Sequence, residues 1–517
     1  MTTVELIEDL PVTPASTGAI AKPQRNWLSK TFGFNLKNFL PGGGALSLRR
    51  FSIAEATFLL ILAFITSRGL GVVRQTLFNI LFGTGPEANA YYAAAYLPET
   101  LFDLVAGGAL IHAFIPVFLS YEKTHGQKEA WRLTSLVFNM MLVALTLLVL
   151  IGEFLTPAFV NHWLVPGYSP MEQSLTTGLT RIMLIQPLFL GLGTVLNAAL
   201  NSKRQFLLPA VSVAVYNVGL IGGLLVSFVF REVGIYGPTV GILAAAALQT
   251  LVMVPPLIKQ GARYSFTWNF KHPALIEVLR LLIPNTLAVA VASISPVIDT
   301  AFISYMPDSA SLSAQRNAYM LFALPFALVS QAVGQAALPR LAFLSTEKKY
   351  VRLRTTILKV VSTTVICSIL SSLALYLFGK PAIQILFQHG AFDEHSSLVT
   401  HIALMGYAIA LPGQAAATLL ILTFYGMKRA ITPLIATCLT MLTHVGSVFL
   451  FLHIFTGSYQ VMAISLAVAV DGLSTSILLG ILLFLHLRRV VREDQGMQRL
   501  ARWKTYKHEQ KASKEAR

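Results

Sequence analysis

Two arginines lie inside an apolar stretch near the beginning of the chain. Arg68 and Arg74 belong to the segment SRGLGVVR, within a hydrophobic run from about residue 53 to residue 83. A guanidinium at the centre of a membrane helix costs at least about 2.5 to 3.5 kcal/mol, so it must face water, an anion or a charged partner. Residues six positions apart point about 120° away from each other in a regular helix. Gly69 and Gly71 would allow a bend that lets the two side chains converge.

The arginine pair predicts a site for an anionic headgroup such as a pyrophosphate, because the planar guanidinium matches phosphate oxygens. The competing interpretation is an internal ion pair with Asp103 or Asp299, two of the few acidic residues in apolar segments. Under the first interpretation the arginines line an open cavity, and under the second they are buried against a carboxylate.

Asp299 and His444 are candidates for binding a coupling ion. Asp299 follows Ile294-Ser295-Pro296, where a helix break could expose carbonyl oxygens beside the carboxylate, as in many cation sites of transporters. His444 lies in another apolar segment and could titrate near neutral pH. The alternatives are a structural charge partner for Asp299 and a hydrogen-bonded packing role for His444.

The elements that carry these residues must be membrane helices. Of the 517 residues, 55% are hydrophobic and only 12% are charged, and the mean hydropathy is +0.66. So few polar side chains cannot cover a water-soluble surface, which excludes a soluble enzyme and a secreted domain. The two cysteines, Cys367 and Cys438, both lie in apolar runs, so neither a disulfide framework nor a cysteine metal site is expected.

A helix needs roughly 20 residues to cross the hydrocarbon core of a bilayer. The sequence predicts an all-α polytopic protein with twelve such helices, after a disordered tail at 1–50 and before a basic tail at 488–517. The predicted spans are approximately 53–83, 89–121, 131–159, 173–201, 206–230, 234–258, 275–305, 312–345, 351–378, 395–426, 430–455 and 458–487.

The basic residues support this count, because Lys and Arg should gather in cytoplasmic loops. With the N-terminus inside, the loops on the opposite side hold only Arg231, Arg316 and Lys380. We therefore expect an even number of spans with both termini cytoplasmic. The basic C-terminal tail fits anionic lipid, and nucleic acid is not an expected partner of this chain.

An internal repeat divides the chain into two halves. Pro187 and Pro412 are 225 residues apart, as are Arg204 and Arg429, and the tripeptide at Asn89 recurs at Asn317. Two six-helix units of equal orientation form a parallel repeat, which predicts an N-lobe at 51–258 and a C-lobe at 259–487 around a central cavity. This is the architecture of a transporter. No ATP-binding or hydrolase motif occurs, so we expect neither an enzyme nor a cofactor.

The order and spacing of many short motifs resemble the MurJ/MviN family of the MOP superfamily over roughly residues 53 to 487. In the first half they are the segment at Arg68 to Arg74, Phe82-Gly83, Ala88 to Tyr92, Leu97-Pro98, Gly108 to Leu110, Ala113 to Phe118, Pro166-Gly167-Tyr168, Arg181 to Met183 and Leu200 to Ser202. In the second half the main match is Leu386 to Phe392.

The resemblance implies a V-shaped transporter of the bacterial cytoplasmic membrane that moves the peptidoglycan precursor lipid II between leaflets by alternating access. Arg68 and Arg74 occupy the positions of first-helix arginines associated with that substrate. Asn89 stands where the family usually has Asp, and Asp103, one turn from Gly107, could replace the family's glutamate there, so both are candidate substrate-binding residues. The family's Asp-Arg pair in helix eight reads Tyr319-Met320.

Three alternatives stay open at this point. One is another MOP-type transporter, either a polysaccharide-lipid flippase or a MATE-like antiporter, and another is a transport-inactive scaffold for cell-envelope assembly. The enzyme alternative, a membrane glycosyltransferase, lacks an acidic metal-binding cluster in any loop. For the preferred interpretation we expect a monomer, a lipid-linked oligosaccharide precursor as partner, and coupling to sodium, protons or the membrane potential.

Overall fold

Helices make up every regular element of the described chain. The computed structural model describes residues 53–105, 109–269, 271–427, 429 and 431–515, so the predicted tail at 1–50 lies outside the described residues. The helices of the first half are α1 (Ile53–Phe82), α2 (Pro86–Val105), α3 (Ala109–His125), α4 (Gln127–Phe159), α5 (Pro170–Met183), α6 (Gln186–Ser202), α7 (Leu207–Val229), α8 (Tyr236–Leu251) and α9 (Val254–Lys259).

The second half repeats this pattern of long apolar helices joined by short turns. Its helices are α10 (Pro273–Ala292), α11 (Ile294–Ser304), α12 (Ser311–Phe326), α13 (Val333–Thr346), α14 (Tyr350–Phe387), α15 (Glu394–Gly426), α16 (Ile431–Ile454) and α17 (Val461–Glu515). Short π-helical turns at Val160–Leu164 and Ala327–Ala332 extend α4 and join α12 to α13. The all-α prediction is confirmed.

Nine helical segments within the described ranges are long and apolar enough to cross a membrane. They correspond to nine of the twelve predicted spans. The other three predicted spans coincide with α1, with α2 and α3, and with α10 and α11, and the count of twelve stays a prediction.

Equivalent residues of the two halves occupy equivalent places in the helices. Pro209 is the third residue of α7, and Pro433 is the third residue of α16. Proline is tolerated there because the first turn of a helix has no intrahelical partner for its N–H groups. The sequence repeat is therefore also found in the structure, where these two helices begin at equivalent residues.

Helix α10 belongs to the predicted C-lobe but packs against the N-lobe. Leu275, Val278 and Leu282 are buried in one hydrophobic cluster with residues of α3, α4 and α6. The extended segment that precedes α10 runs along α4, which brings the start of α10 to the same side. Although α10 follows the predicted lobe boundary at residue 258, it packs with helices that precede that boundary.

Uncharged side chains join the two lobes at the turns opposite the basic loops. The buried amides of Gln75 and Asn79 in α1 each donate a hydrogen bond to Asn317 Oδ1 in α12, at 3.0 and 2.8 Å. The hydroxyl oxygens of Thr84 and Ser396 lie 2.7 Å apart. We call these contacts, together with those of Gly83, Asn89 and residues 390–391, the outer seal.

Backbone also meets backbone in the outer seal. The N–H of Ala391 donates to the carbonyl oxygen of Ile80 at 2.9 Å. Gly390 has φ of 62°, and a Cβ there would lie 2.5 Å from the same carbonyl oxygen. Only glycine combines this backbone conformation with such a close approach. The Gly390 motif of the sequence therefore serves to join the lobes.

We expect Gly390→Ala to loosen the outer seal. The added methyl group would strain the left-handed backbone and push against Ile80, so Ser396, which is 3% exposed, should become accessible. The measurement is the rate at which a membrane-impermeant maleimide labels Ser396→Cys. Gly457→Ala is the matched control, because Gly457 has φ of 59° with open space around it. Equal labelling rates in the two variants would contradict the expected role of Gly390.

Candidate functional site

A cavity of about 550 Å³ lies between α1, α2, α7 and α12. Its volume falls within the range typical of ligand pockets. Charged and amide side chains from all four helices line it, namely Arg68, Arg74, Gln75, Glu99, Asn217 and Arg316.

Arg68 and Arg74 both line this cavity, as the anion-site interpretation predicts. Arg74 Nη1 donates a hydrogen bond to Asn217 Oδ1 at 3.3 Å, and the Asn217 amide donates to the carbonyl oxygen of Ser67 at 3.4 Å. Asn217 therefore orients Arg74 from the neighbouring helix α7. Neither Asp103 nor Asp299 is among the described residues that line this cavity.

Arg316 is a cavity residue that the sequence analysis placed in an outer loop. Helix α12 begins at Ser311, so Arg316 lies in its second turn. Its guanidinium lies 3.7 Å from the carboxylate of Glu99 and 5.6 Å from the ring centre of Tyr96, both in α2. Arg316 also donates to the carbonyl oxygen of Tyr92 at 3.4 Å. The pair with Glu99 therefore links the two lobes across the cavity.

Arg316 is the third arginine of the cavity, and it lies on the same face of α12 as Met320, where the resemblance implies an arginine. Arg316 precedes Met320 by four residues, and residues four apart share one face of a helix. Both line the cavity. Looking for a charged residue one turn before Met320 would therefore have identified Arg316 from the sequence. In the same way, Glu99 lies one turn before the candidate Asp103 in α2.

The lining of the cavity is positively charged. Among the described lining residues, Arg68, Arg74 and Arg316 face a single acidic residue, Glu99. The Glu99 side chain is 52% exposed, so its attraction for Arg316 is screened by water and easily displaced by a stronger anion. The arrangement suits an anionic ligand with several phosphate oxygens.

Asn89 has a place in the outer seal. It is 4% exposed, its amide nitrogen donates to the carbonyl oxygen of Ser309, and its Oδ1 accepts from the backbone N–H of Ser313 at 2.9 Å. These bonds occupy the side chain and connect α2 to the start of α12. The structure therefore separates Asn89 from the arginine cavity.

Asp103 lines a second cavity of about 210 Å³ in the N-lobe. Asn197 of α6 and Gln249 of α8 also line it, together with Thr194 and Thr250. Asp103 lies one turn beyond Glu99 in α2. The cavity that it lines is bounded by residues of α6 and α8 and by none of the described residues of α12. The structure therefore does not bring Asp103 together with Arg68 and Arg74.

Asp299 and His444 form a pair inside the C-lobe. Asp299 Oδ1 lies 2.8 Å from His444 Nε2, and both side chains are largely buried. Asp471 is a nearby charge, and its carboxylate accepts a hydrogen bond from Gln414 at 3.3 Å. In the described part of the chain no group of three or more His, Cys, Asp or Glu residues could hold a metal ion.

Comparison with known proteins agrees with this arrangement. The fold is similar to a lipid II flippase MurJ in an inward closed conformation, with a TM-score of 0.70, 24% identity, and coverage of 84% of this chain and 90% of that one. It is also similar to an inward-facing MATE family multidrug transporter of the MOP superfamily, with a TM-score of 0.71, 13% identity, and coverage of 84% and 99%. These likenesses establish the transporter fold.

Sequence relatives are more specific. The chain is 28% identical over 433 residues to the lipid II flippase MurJ of Burkholderia cenocepacia, covering 82% of this chain and 81% of that protein. It is 26% identical over 423 residues to the lipid II flippase MurJ of Thermosipho africanus, covering 82% and 84%. The family model for lipid II flippase MurJ matches residues 78–509. Because that match spans most of the sequence, the chain belongs to the MurJ family of lipid II flippases.

Proposed function

We propose that this protein translocates lipid II across the bacterial cytoplasmic membrane by alternating access, without a covalent step. The observation that carries the proposal is the cavity between the lobes, where three arginines face one glutamate. A pyrophosphate needs cationic donors, and its attached sugars need a water-filled path, while the polyprenyl chain can stay in lipid. A cationic drug would need an acidic cavity, which disfavours the MATE-like alternative.

The pair between Arg316 and Glu99 suggests how headgroup binding acts on the lobes. Arg316 belongs to the C-lobe and Glu99 to the N-lobe, and they lie 3.7 Å apart. A pyrophosphate bound to Arg316 would displace the half-exposed carboxylate, because charge-assisted bonds to phosphate are stronger than a screened ion pair. Binding would thus remove one link between the lobes.

A flipping assay tests the function. The purified protein is reconstituted into vesicles that contain fluorescent lipid II, and a membrane-impermeant reductant reports the fraction of label in the outer leaflet over time. We expect exchange of lipid II between leaflets that is faster than in protein-free vesicles, and no acceleration of a fluorescent phosphatidylcholine. Equal rates for both lipids, or no acceleration of either, would contradict the proposal.

The coupling ion that fits the C-lobe best is the proton. His444 Nε2 lies 2.8 Å from Asp299 Oδ1, and a carboxylate at that distance stabilises a positive charge on the imidazole ring. We therefore propose that His444 holds the coupled proton.

We expect His444→Gln to abolish the dependence of flipping on a pH gradient while lipid II binding is unchanged. Removing the ring removes the bound proton but leaves the arginine cavity intact. His453→Gln is the control on the same helix, because His453 is exposed and bonds only to the carbonyl oxygen of Phe449 within the described residues. A pH-gradient dependence that survives in His444→Gln would rule out the proton site.

We also propose a multi-pass monomer with both ends in the cytoplasm. The distribution of Lys and Arg between alternate loops supports this orientation. Helix α17 continues to Glu515, so the basic segment from residue 488 extends directly from the last span, in a position to meet anionic lipid.

A further inference from the structure

We call the connection between α9 and α10, residues 260–272, the strap; its described residues, 260–269 and 271–272, form no helix. Gln127 Nε2 donates to the carbonyl oxygen of Gln260 at 3.0 Å, and the N–H of Ser265 donates to Ser135 Oγ at 3.1 Å. Asn139 Nδ2 donates to the carbonyl oxygen of Thr267 at 3.2 Å. Helix α4 thus supplies hydrogen-bond partners to an irregular backbone, as a segment close to the membrane requires.

The strap runs beside the first residues of α4, where a helix long and apolar enough to cross a membrane begins. Helix α4 begins at Gln127 beside the basic turn after α3, and Asn139 lies twelve residues further along, which is about 18 Å at 1.5 Å per residue. The strap contacts α4 between these two points. It therefore follows the helix from the basic loops into the beginning of the apolar span.

Aromatic side chains are exposed along the strap. In an extended chain alternate residues point to opposite sides, and Tyr264, Phe266 and Trp268 are 63%, 72% and 43% exposed. The rings of Phe266 and Trp268 pack edge to face with centres 5.3 Å apart. Tyr264 bonds through its hydroxyl to Asn139 Oδ1 at 2.7 Å. Aromatic residues of this kind are typical of membrane interfaces.

The strap also carries only positive charge. From residue 259 to residue 272 the sequence KQGARYSFTWNFKH contains Lys259, Arg263 and Lys271 and no acidic residue. All three basic residues are exposed. Exposed aromatic rings flanked by basic side chains match the apolar and anionic parts of a phospholipid interface.

We propose that the strap is an anchor that binds anionic phospholipids of the leaflet on the basic side. Tyr264, Phe266 and Trp268 insert below the headgroups, and Lys259, Arg263 and Lys271 bind phosphate groups. Because four hydrogen bonds hold the strap to α4, the anchor fixes the N-lobe to the bilayer. The proposal depends on the membrane location of the chain and not on its substrate.

Spin labelling tests the insertion. Cys367 and Cys438 are replaced by alanine, and the full chain with Phe266→Cys is labelled and reconstituted into phosphatidylglycerol and phosphatidylcholine vesicles. We expect the label to be more accessible to oxygen than to a water-soluble nickel chelate. Phe154→Cys, on the apolar part of α4, is the lipid control, and Lys128→Cys, at the start of α4, is the water control. A nickel accessibility at Phe266 equal to that at Lys128 would overturn the proposal.

Charge removal tests the choice of lipid. Lys259→Gln, Arg263→Gln and Lys271→Gln are combined, and the phosphatidylglycerol retained by the protein is measured after purification from a mixed bilayer free of lipid II. We expect a loss of at least about fivefold in enrichment over phosphatidylcholine. The control combines Lys349→Gln, Arg352→Gln and Arg354→Gln, which remove the same charge from the other lobe. An equal loss in both variants would mean that total charge, and not the strap, selects the lipid.

Discussion

Arg316→Ala is expected to lower the affinity for lipid II by about ten- to a hundredfold and to abolish flipping. Charge-assisted hydrogen bonds contribute about 1.5 to 3 kcal/mol, and each 1.4 kcal/mol is a factor of ten in affinity. Arg316 supplies one of the three guanidinium groups of the cavity and the only one from the C-lobe among its described lining residues. Native mass spectrometry with lipid II, undecaprenyl phosphate and cardiolipin measures the selectivity of binding.

Two further variants separate a specific role of Arg316 from a general loss of charge. In Arg316→Ala combined with Met320→Arg, the guanidinium moves one turn along the same face of α12, and we expect most of the affinity to return. Arg231→Ala, outside the cavity, is the control and should bind normally. Unchanged lipid II binding in Arg316→Ala would contradict the assignment, and failure of the relocated arginine to restore binding would show that the pairing with Glu99 matters more than charge.

A disulfide across the outer seal is expected to stop transport completely and reversibly. The hydroxyl oxygens of Thr84 and Ser396 lie 2.7 Å apart on different lobes, so Thr84→Cys with Ser396→Cys in a background without Cys367 and Cys438 should oxidise readily. Alternating access requires the two lobes to separate there. We expect flipping to disappear on oxidation and to return with a reductant.

The control for this experiment is a cross-link within one lobe. Thr443 and Ser474 lie on α16 and α17 with hydroxyl oxygens 3.2 Å apart, so Thr443→Cys with Ser474→Cys joins two helices of the C-lobe. This bond should leave flipping largely intact. Transport that continues with the Thr84–Ser396 cross-link fully formed would exclude separation of the lobes at the outer seal.

The all-helical fold and the place of two cavity residues could be predicted from local patterns. Hydropathy and the distribution of Lys and Arg report on single helices and loops, and the cost of an intramembrane charge singled out Arg68 and Arg74. Both arginines line one cavity. Motifs such as Gly390-Ala391 were visible as a resemblance, but their role in joining the lobes depends on contact with Ile80, which is distant in sequence.

Long-range pairing accounts for what the sequence analysis missed. The charge distribution counts Arg316 with the loops opposite the basic side, and only its contact with Glu99, 217 residues earlier, shows that its side chain lies in the cavity. Asn89 and Asp103 belong to the same helix as Glu99 but have different neighbours. Asn89 bonds to the start of α12 in the outer seal, and Asp103 lines the second cavity. Periodicity identifies the face of a helix and not the neighbour that covers it.

The outer seal is held by amides, hydroxyls and close backbone contacts, without an ion pair among the residues that form it. Each such hydrogen bond contributes only about 0.5 to 1.5 kcal/mol over its bond to water, so parting the lobes exchanges contacts of nearly equal strength. Because the seal itself uncovers no charge, ionic strength should act on its opening only through the neighbouring pair of Arg316 and Glu99. The closed and open forms can then differ by a few kcal/mol, an amount that a bound headgroup can reverse.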